Sequence, residues 1–127
     1  MNIFSILVPK HMLTYFNADD TLDKAVSLLL GSTYSAVPVI DKEGRYVGVV
    51  SEGDFLRAVM EHGRDELANY TVSDIVNRDP GAAVLNTVEH EEIMERILDR
   101  NFLCIVDDRE CFIGIITRKS VILYLKK

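Results

Sequence analysis

The chain has 127 residues, 48% of them apolar and 27% charged, and a net charge of −6 that divides into −3 over residues 1–63 and −3 over residues 64–127. This composition describes a folded protein of one compact domain or two small halves. It excludes an overall basic surface for nucleic acid and a polybasic segment for an anionic membrane.

No apolar run approaches the roughly 18–20 residues that cross a bilayer. The N-terminal IFSILVP is short for a signal sequence and no cation precedes it, so a cytoplasmic protein is expected. Cys104 and Cys111, the two cysteines, fall in apolar strand-like runs and are expected as buried free thiols.

In chain order, a short strand over residues 13–16 leads to a helix predicted to start at Asp20 as N-cap, with Asp23 at capping-box spacing. The helix carries Ala25, Val26, Leu29 and Leu30. Residues 37–40 are aliphatic and read as a buried strand, joined through the turn Asp41-Lys42-Glu43-Gly44 to a second apolar strand. A helix follows Ser51. Residues 61–71 are polar and contain a Gly, and Thr71-Val72-Ser73-Asp74 then has capping-box spacing and begins a short helix.

The order then repeats: a strand at 83–85, a helix with Asn86 as predicted N-cap and Glu89 three residues on, an apolar strand at 102–106, the turn Asp107-Asp108-Arg109-Glu110, another apolar strand, and a helix after Thr117. A shift of 66 residues lays AVPVID (36–41) over FLCIVD (102–107), and YVGVVS (46–51) over FIGIIT (112–117). In the repeat's first helix the match fails locally: Ile93, Met94, Ile97 and Leu98 are out of phase with the first set by one or two residues. The unit is β-α-β-β-α, twice, which predicts a mixed α/β (α+β) fold. The divisions expected are residues 1–63 for the first repeat with its N-terminal segment, 64–71 for a linker, and 72–127 for the second repeat.

A unit of about 60 residues is marginal alone, so the repeats are expected to pack through their sheets. Residues 121–125 are apolar with no polar face for two turns, which asks for cover on more than one side. Together with Phe55, Val59 and Met60 they predict a homodimer formed through the terminal helices.

With two β-α-β-β-α units, SAVPVID at 35–41 and the phrase GVVSEGD at 48–54, the chain resembles a pair of CBS domains, the tandem (Bateman) module named after cystathionine β-synthase. The resemblance runs from about Leu7 to Leu125. It implies a sensor that binds an adenine nucleotide, and within the family the chain is most similar to small stand-alone bacterial proteins, some of which bind cyclic di-AMP.

The helix start at Ser51-Glu52-Gly53-Asp54 can be a capping box, with Ser51 accepting a backbone N–H and Asp54 reaching back. It can also serve a ligand, because a strand running into a helix N-terminus presents unpaired N–H groups and a positive dipole end. Gly53 removes a side chain where a ligand approaches. By resemblance, Asp54 is the acid that binds ribose and Ser51 the accompanying hydroxyl.

At the same place in the second copy stand Thr117, Arg118, Lys119 and Ser120. Ser120 in place of the acid puts a second ribose site in doubt. Two cations in a first helical turn oppose the dipole; they are either solvated charges or phosphate ligands. By resemblance, Arg118 and Lys119 hold phosphate, so that the copies are complementary halves of one site. The adenine is expected beside Tyr34, which can stack on it or simply pack, and beside the backbone of Ser35, Ala36 and Val37. Ala36 opposite Phe102 suggests an open first pocket and a filled second one.

His11, His62 and His90 stand alone at no metal-ligand spacing, and no nucleophile elbow, phosphate-binding glycine loop or other catalytic constellation is present. The protein is therefore expected not to be an enzyme and to use no cofactor. Two readings remain: an adenine-nucleotide sensor acting on a partner protein, and an interaction module without a physiological small ligand. Loss of the second acid, and Cys104 where the first copy has Pro38, favour the latter.

Overall fold

The computed structural model describes residues 2–126. They divide into two compact units, residues 14–79 in one and residues 2–13 with 80–126 in the other.

In the first unit, β2 (Phe16–Asn17) lies parallel to β3 (Ala36–Ile40), and β3 is antiparallel to β4 (Tyr46–Ser51), giving the sheet order β2-β3-β4. The parallel pair requires a crossover, which α1 (Leu22–Leu30) supplies. From β4 the chain passes straight into α2 (Glu52–His62). Phe16, Leu22, Ala25, Val37, Val39, Val50, Phe55 and Val72 fill the core, with Phe16 and Phe55 meeting edge-on at 6.0 Å.

The other unit repeats this plan with β5 (Ala83–Leu85), α3 (His90–Ile97), β6 (Phe102–Val106), β7 (Phe112–Thr117) and α4 (Arg118–Lys126). Its sheet has the order β1-β7-β6-β5, where β1 is Val8–Pro9. Ile3, Val84, Ile93, Ile97, Leu103, Ile105, Ile116 and Val121 form its core.

The compact units cut the chain elsewhere than the sequence repeats do. Residues 2–13, expected with the first repeat, complete the sheet of the second, β1 pairing antiparallel to β7. The expected linker at 64–71 is folded into the first unit. Arg64–Asn69 is a 3-10 helix that buries Leu67, Tyr70 stacks on His62 with centroids 4.1 Å apart, and its carbonyl accepts the Leu22 N–H. Polar composition hid this, because one buried leucine and one ring suffice to dock so short a segment.

A further repeat, which the 66-residue shift did not reveal, explains the exchange. Residues 71–78 form a 3-10 turn (Val72–Asp74) and an extended segment whose Asn77 pairs with Val49 of β4. Residues 2–9 do the same 69 positions earlier, with a 3-10 turn at Ile3–Ser5 and Val8 paired to Ile115 of β7. Even the cap dihedrals agree, φ −121° and ψ 0° at Ile6 against −122° and −3° at Ile75. The capping-box spacing at 71–74 is realised in the Asp74 carboxylate, which accepts the Thr71 N–H at 2.8 Å.

The crossing segments account for the two repeated glycines. A Cβ on Gly48 would lie 2.3 Å from the Asn77 carbonyl oxygen, and one on Gly114 would lie 2.4 Å from that of Val8. No side chain fits between these backbones.

The local phase error also resolves. The helix N-caps are Thr21 and Glu89 rather than Asp20 and Asn86. Asp20 instead accepts the Asn17 N–H at 2.9 Å. From the first strand to the end of the helix the copies are related by 68 residues, which superposes Ala25, Val26, Leu29 and Leu30 on Ile93, Met94, Ile97 and Leu98. Ala25 and Leu29 are buried, as are Ile93 and Ile97, while Leu30 and Leu98 are exposed at 80% and 71%. The two-residue difference is taken up between helix and strand, where residues 31–35 of the first copy stand against 99–101 of the second.

The hairpins return to the 66-residue relation, register irregularity included, between Val39 and Ile40 and between Ile105 and Val106. Asp41 Oδ1 accepts the N–H groups of Glu43 and Arg45, and Asp107 Oδ1 those of Arg109 and Cys111, all at 2.9 Å. The turn's left-handed position is Gly44 (φ 84°) in one copy and Glu110 (φ 67°) in the other.

Cys104 is fully buried, and burial pushes its thiol up to about 12. Cys111 is only half-buried, immediately before β7, and neither cysteine is in a disulfide.

Candidate functional site

The two helix starts have the same backbone. At the first, the Glu52 N–H donates to the Ser35 carbonyl at 3.0 Å; at the second, the Arg118 N–H donates to the Asn101 carbonyl at 2.8 Å. Each helix is thereby tied to the residue that enters the neighbouring strand. The Ser35 carbonyl, expected to face adenine, is engaged in this tie.

At the first start the capping box is complete. The Asp54 N–H donates to Ser51 Oγ at 3.2 Å, and Asp54 Oδ2 accepts both the Ser51 N–H (2.8 Å) and its hydroxyl (3.0 Å). The other oxygen, Oδ1, accepts from the guanidinium of Arg57 one turn along. Asp54 is 16% exposed and Arg57 67%. Glu52 and Asp54 in the first turn complement the helix dipole. Gly53 is not demanded by the fold, since a Cβ there would meet only Arg57 Nη1 and Ser51 Oγ, each at 3.7 Å.

At the second start the cap is neutral. The Ser120 N–H donates to Thr117 Oγ1 at 2.9 Å, and the two hydroxyls share a hydrogen bond of 2.7 Å. No acidic residue stands in the first turn of α4. Arg118 is exposed and donates to Asn101 Oδ1 at 3.0 Å; Lys119 is exposed beside it.

A groove of about 500 Å³ opens in this second unit, lined by Ser5, Ile6, Leu7, Ser120, Leu123 and Tyr124. It combines apolar walls with two hydroxyl-bearing serines and a phenol.

Tyr34 lies half-buried in the segment 31–35. By the alignment that sets Asn101 against Ser35, Arg100 stands at the Tyr34 position, so the second copy repeats no aromatic ring there. Ala36 is half-buried at the start of β3, paired with Ser51; Val37 beside it is fully buried in the core and paired with Val50. The Val37 side chain therefore serves the fold, and only its backbone is left for a ligand.

Sequence reasoning passed over three contributors. Arg57 was signalled by its i, i+3 spacing from Asp54. Asn101 was signalled only by its alignment with Ser35. Ser5, Ile6 and Leu7 belong to the segment whose 69-residue repeat is too degenerate to read by identity. Of the apolar residues expected to form an outer face, Phe55 and Val121 are buried in their own units and Val59 packs against the core, whereas Met60, Ile122, Leu123 and Leu125 are half exposed or more; Leu56, outside that set, is exposed as well. No helix among the described residues is long and apolar enough to cross a membrane, and none of them form a cluster of three or more His, Cys, Asp or Glu suited to a metal ion.

Among known proteins, the chain is 30% identical over 106 residues to inosine-5'-monophosphate dehydrogenase of Methanocaldococcus jannaschii, covering 82% of this chain but only 20% of that enzyme. It is 23% identical to cyclic di-AMP receptor B of Bacillus subtilis, covering 95% of this chain and 84% of the receptor. The crystal structure of CbpB in complex with c-di-AMP superposes with a TM-score of 0.89 at 29% identity, covering 99% of this chain and 85% of that one. That of CBSX2 in complex with AMP gives 0.79 at 27%, covering 99% and 98%. The family model for the CBS domain matches twice, at residues 7–61 and 72–127. The chain belongs to the CBS-domain family, with two such domains in tandem.

Proposed function

We propose that the chain is a regulatory module that binds an adenine nucleotide and, through the way the bound ligand changes its packing, acts on a partner protein. The observation that carries this reading is the contrast between two helix starts of one backbone: an acid capped by a serine at Asp54, and the cation pair Arg118 and Lys119 where no acid remains. A carboxylate accepts hydrogen bonds from a ribose diol and repels phosphate. A guanidinium and an ammonium beside helix N–H groups do the opposite. The similarity to structures in complex with c-di-AMP and with AMP supports the same class of ligand.

The roles proposed are ribose recognition by Asp54 with Ser51, close approach at Gly53, adenine contact at Tyr34 and at the backbone of Ser35, Ala36 and Val37, and phosphate recognition by Arg118 and Lys119 with Thr117 as the local cap. Titration calorimetry with adenosine, AMP, ADP, ATP and cyclic di-AMP tests it. Affinity is expected to rise with phosphate and to fall with salt, because surface charges are screened over roughly 8–10 Å at physiological ionic strength. Arg118→Ala should remove most of the advantage of the phosphorylated ligands and leave adenosine unchanged; equal losses would overturn the assignment of Arg118.

A second reading, an interaction module without a small ligand, is favoured by one observation. Both Asp54 oxygens are already engaged within the chain. Absence of binding to all five compounds would establish it. In either reading the exposed Leu56, Met60, Ile122, Leu123 and Leu125 suit a homodimer, and light scattering that gives the monomer mass at micromolar concentration, with and without nucleotide, would exclude it.

A further inference from the structure

The acid assigned to ribose is not free to receive it. Asp54 Oδ2 holds two donors from Ser51 and closes the capping box, so a diol directed at this oxygen would undo the start of α2. The oxygen that can change partners is Oδ1, and Arg57 holds it. Arg57 arrives from one turn further along the helix, and its Nη1 lies 3.7 Å from where a Cβ on Gly53 would stand. Its guanidinium thus covers the glycine whose missing side chain the fold does not require. The arm itself is 67% exposed, a weakly held surface partner that a better-placed donor displaces.

We propose that Arg57 is a latch on the ribose carboxylate, a specificity-determining residue that yields Oδ1 to a sugar diol and transfers its guanidinium to the phosphate attached to that sugar. This rests on the nucleotide reading above and adds to it a reason for preferring nucleotides over nucleosides. A nucleoside displaces the latch and offers the released cation nothing. A nucleotide offers it an anion, so that one ion pair is exchanged for another with bidentate geometry. The second copy has no such device, since Ser120 and Leu123 stand where Asp54 and Arg57 stand in the first.

The test uses the whole chain and two probes, adenosine and AMP, titrated into wild type, Arg57→Gln and Arg57→Lys. In Arg57→Gln adenosine should bind as tightly as in wild type or up to about fivefold more tightly, while AMP should weaken about fivefold or more. Arg57→Lys should fall between wild type and Arg57→Gln for AMP, since an ammonium retains the charge without the fork. In wild type, the Arg57 Nε–H resonance should shift on addition of AMP and move little with adenosine at equal saturation. Equal changes for both probes, or AMP affinity unaltered in Arg57→Gln, would overturn the latch while leaving nucleotide binding intact. Failure of wild type to bind AMP, adenosine and cyclic di-AMP would overturn the functional reading, and the latch with it. Thermal melts of the variants should match wild type closely; an Arg57→Gln variant that melts far below it, with Arg57→Lys restoring stability but not AMP preference, would mark Arg57 as a structural residue only.

Discussion

Compared side by side, Ser51–Asp54 and Thr117–Ser120 separate what the fold needs from what it leaves free. Each start keeps a hydroxyl cap, a backbone tie to the residue entering the adjacent strand, and a glycine three residues upstream where a second backbone crosses. Every retained feature answers a steric or hydrogen-bonding demand. Of the residues that differ, Glu52 and Gly53 against Arg118 and Lys119 answer none that the backbone imposes, while Asp54 against Ser120 changes how the cap is completed. Divergence is therefore concentrated in the first turn of each helix, downstream of the shared backbone tie.

The largest effect that tests this separation comes from the glycines. Gly48→Ala or Gly114→Ala forces a Cβ into a backbone carbonyl at 2.3–2.4 Å, and each should cost about 3 kcal/mol in denaturant unfolding or prevent folding. Gly53→Ala, by contrast, meets only ordinary contacts and should stabilise α2 by about 0.5–1 kcal/mol while weakening nucleotide binding. A Gly53→Ala protein that is less stable, or a Gly48→Ala protein of normal stability, would erase the distinction.

Next in size is the acid itself. Asp54→Ala removes half of the capping box and should lower stability by about 0.5–2 kcal/mol, with a loss of about 1–3 kcal/mol in nucleotide affinity. Calorimetry and melts on the same samples distinguish the roles: an earlier melt with normal binding would leave Asp54 as a cap alone.

The repeat, its strands and its hairpins were legible because they follow from buried aliphatic runs and Asx turns, which are local in sequence. The strand read at 102–106 matches Phe102–Val106 to the residue, and the one read at 37–40 starts one residue late against Ala36–Ile40. The helix starts were misplaced because Asp20 and Asn86 are good cap residues whose backbone is committed to the turn after the first strand. Three different offsets, 69, 68 and 66, run through one duplication, so a single shift cannot register it throughout. The pairing of residues 2–9 with β7 and of 71–78 with β4 is a long-range choice carried by backbone hydrogen bonds, which leave almost no mark on side-chain identity. At the site, the hydroxyls, the acid and the cation pair were visible as residue types, but Arg57 and Asn101 acquire their roles only from reach and proximity.

The hairpins give a smaller version of the same comparison. Gly44 and Glu110 hold the same left-handed position, which costs an L-residue about 1–2 kcal/mol. Glu110→Gly should therefore stabilise the protein by about 0.5–1 kcal/mol after allowance for the freer unfolded chain, and Gly44→Glu should destabilise it by a similar amount. Chemical denaturation of both variants checks this, and a destabilised Glu110→Gly protein would mean that the Glu110 side chain makes a contact worth more than the strain.

The smallest expected effect concerns protons. Asp41 is held below the ordinary carboxylate range chiefly by the Arg45 N–H, then by the Glu43 N–H and the Arg45 charge; Asp107 is held down chiefly by the Cys111 N–H, then by that of Arg109 and the Arg109 charge. Since each folded carboxyl releases its proton more readily than the unfolded one, its contribution is complete above the unfolded range near pH 4 and is lost as pH falls through the folded value. Unfolding measured from pH 6 to pH 2.5 should show a shallower acid limb for Asp41→Asn and for Asp107→Asn than for wild type, with both variants closest to wild type at the acid end. The two turns are not equal. Arg45 Nε donates to Asp41 Oδ2 at 3.1 Å, whereas the Arg109 guanidinium stands 3.9 Å from Asp107. The acid limb should therefore flatten more in Asp41→Asn, and Arg45→Ala should bring the first turn's pH response down to that of the second. Parallel limbs in wild type and both Asn variants would show that the two carboxylates titrate alike in folded and unfolded chains, and that the turns are held by geometry alone.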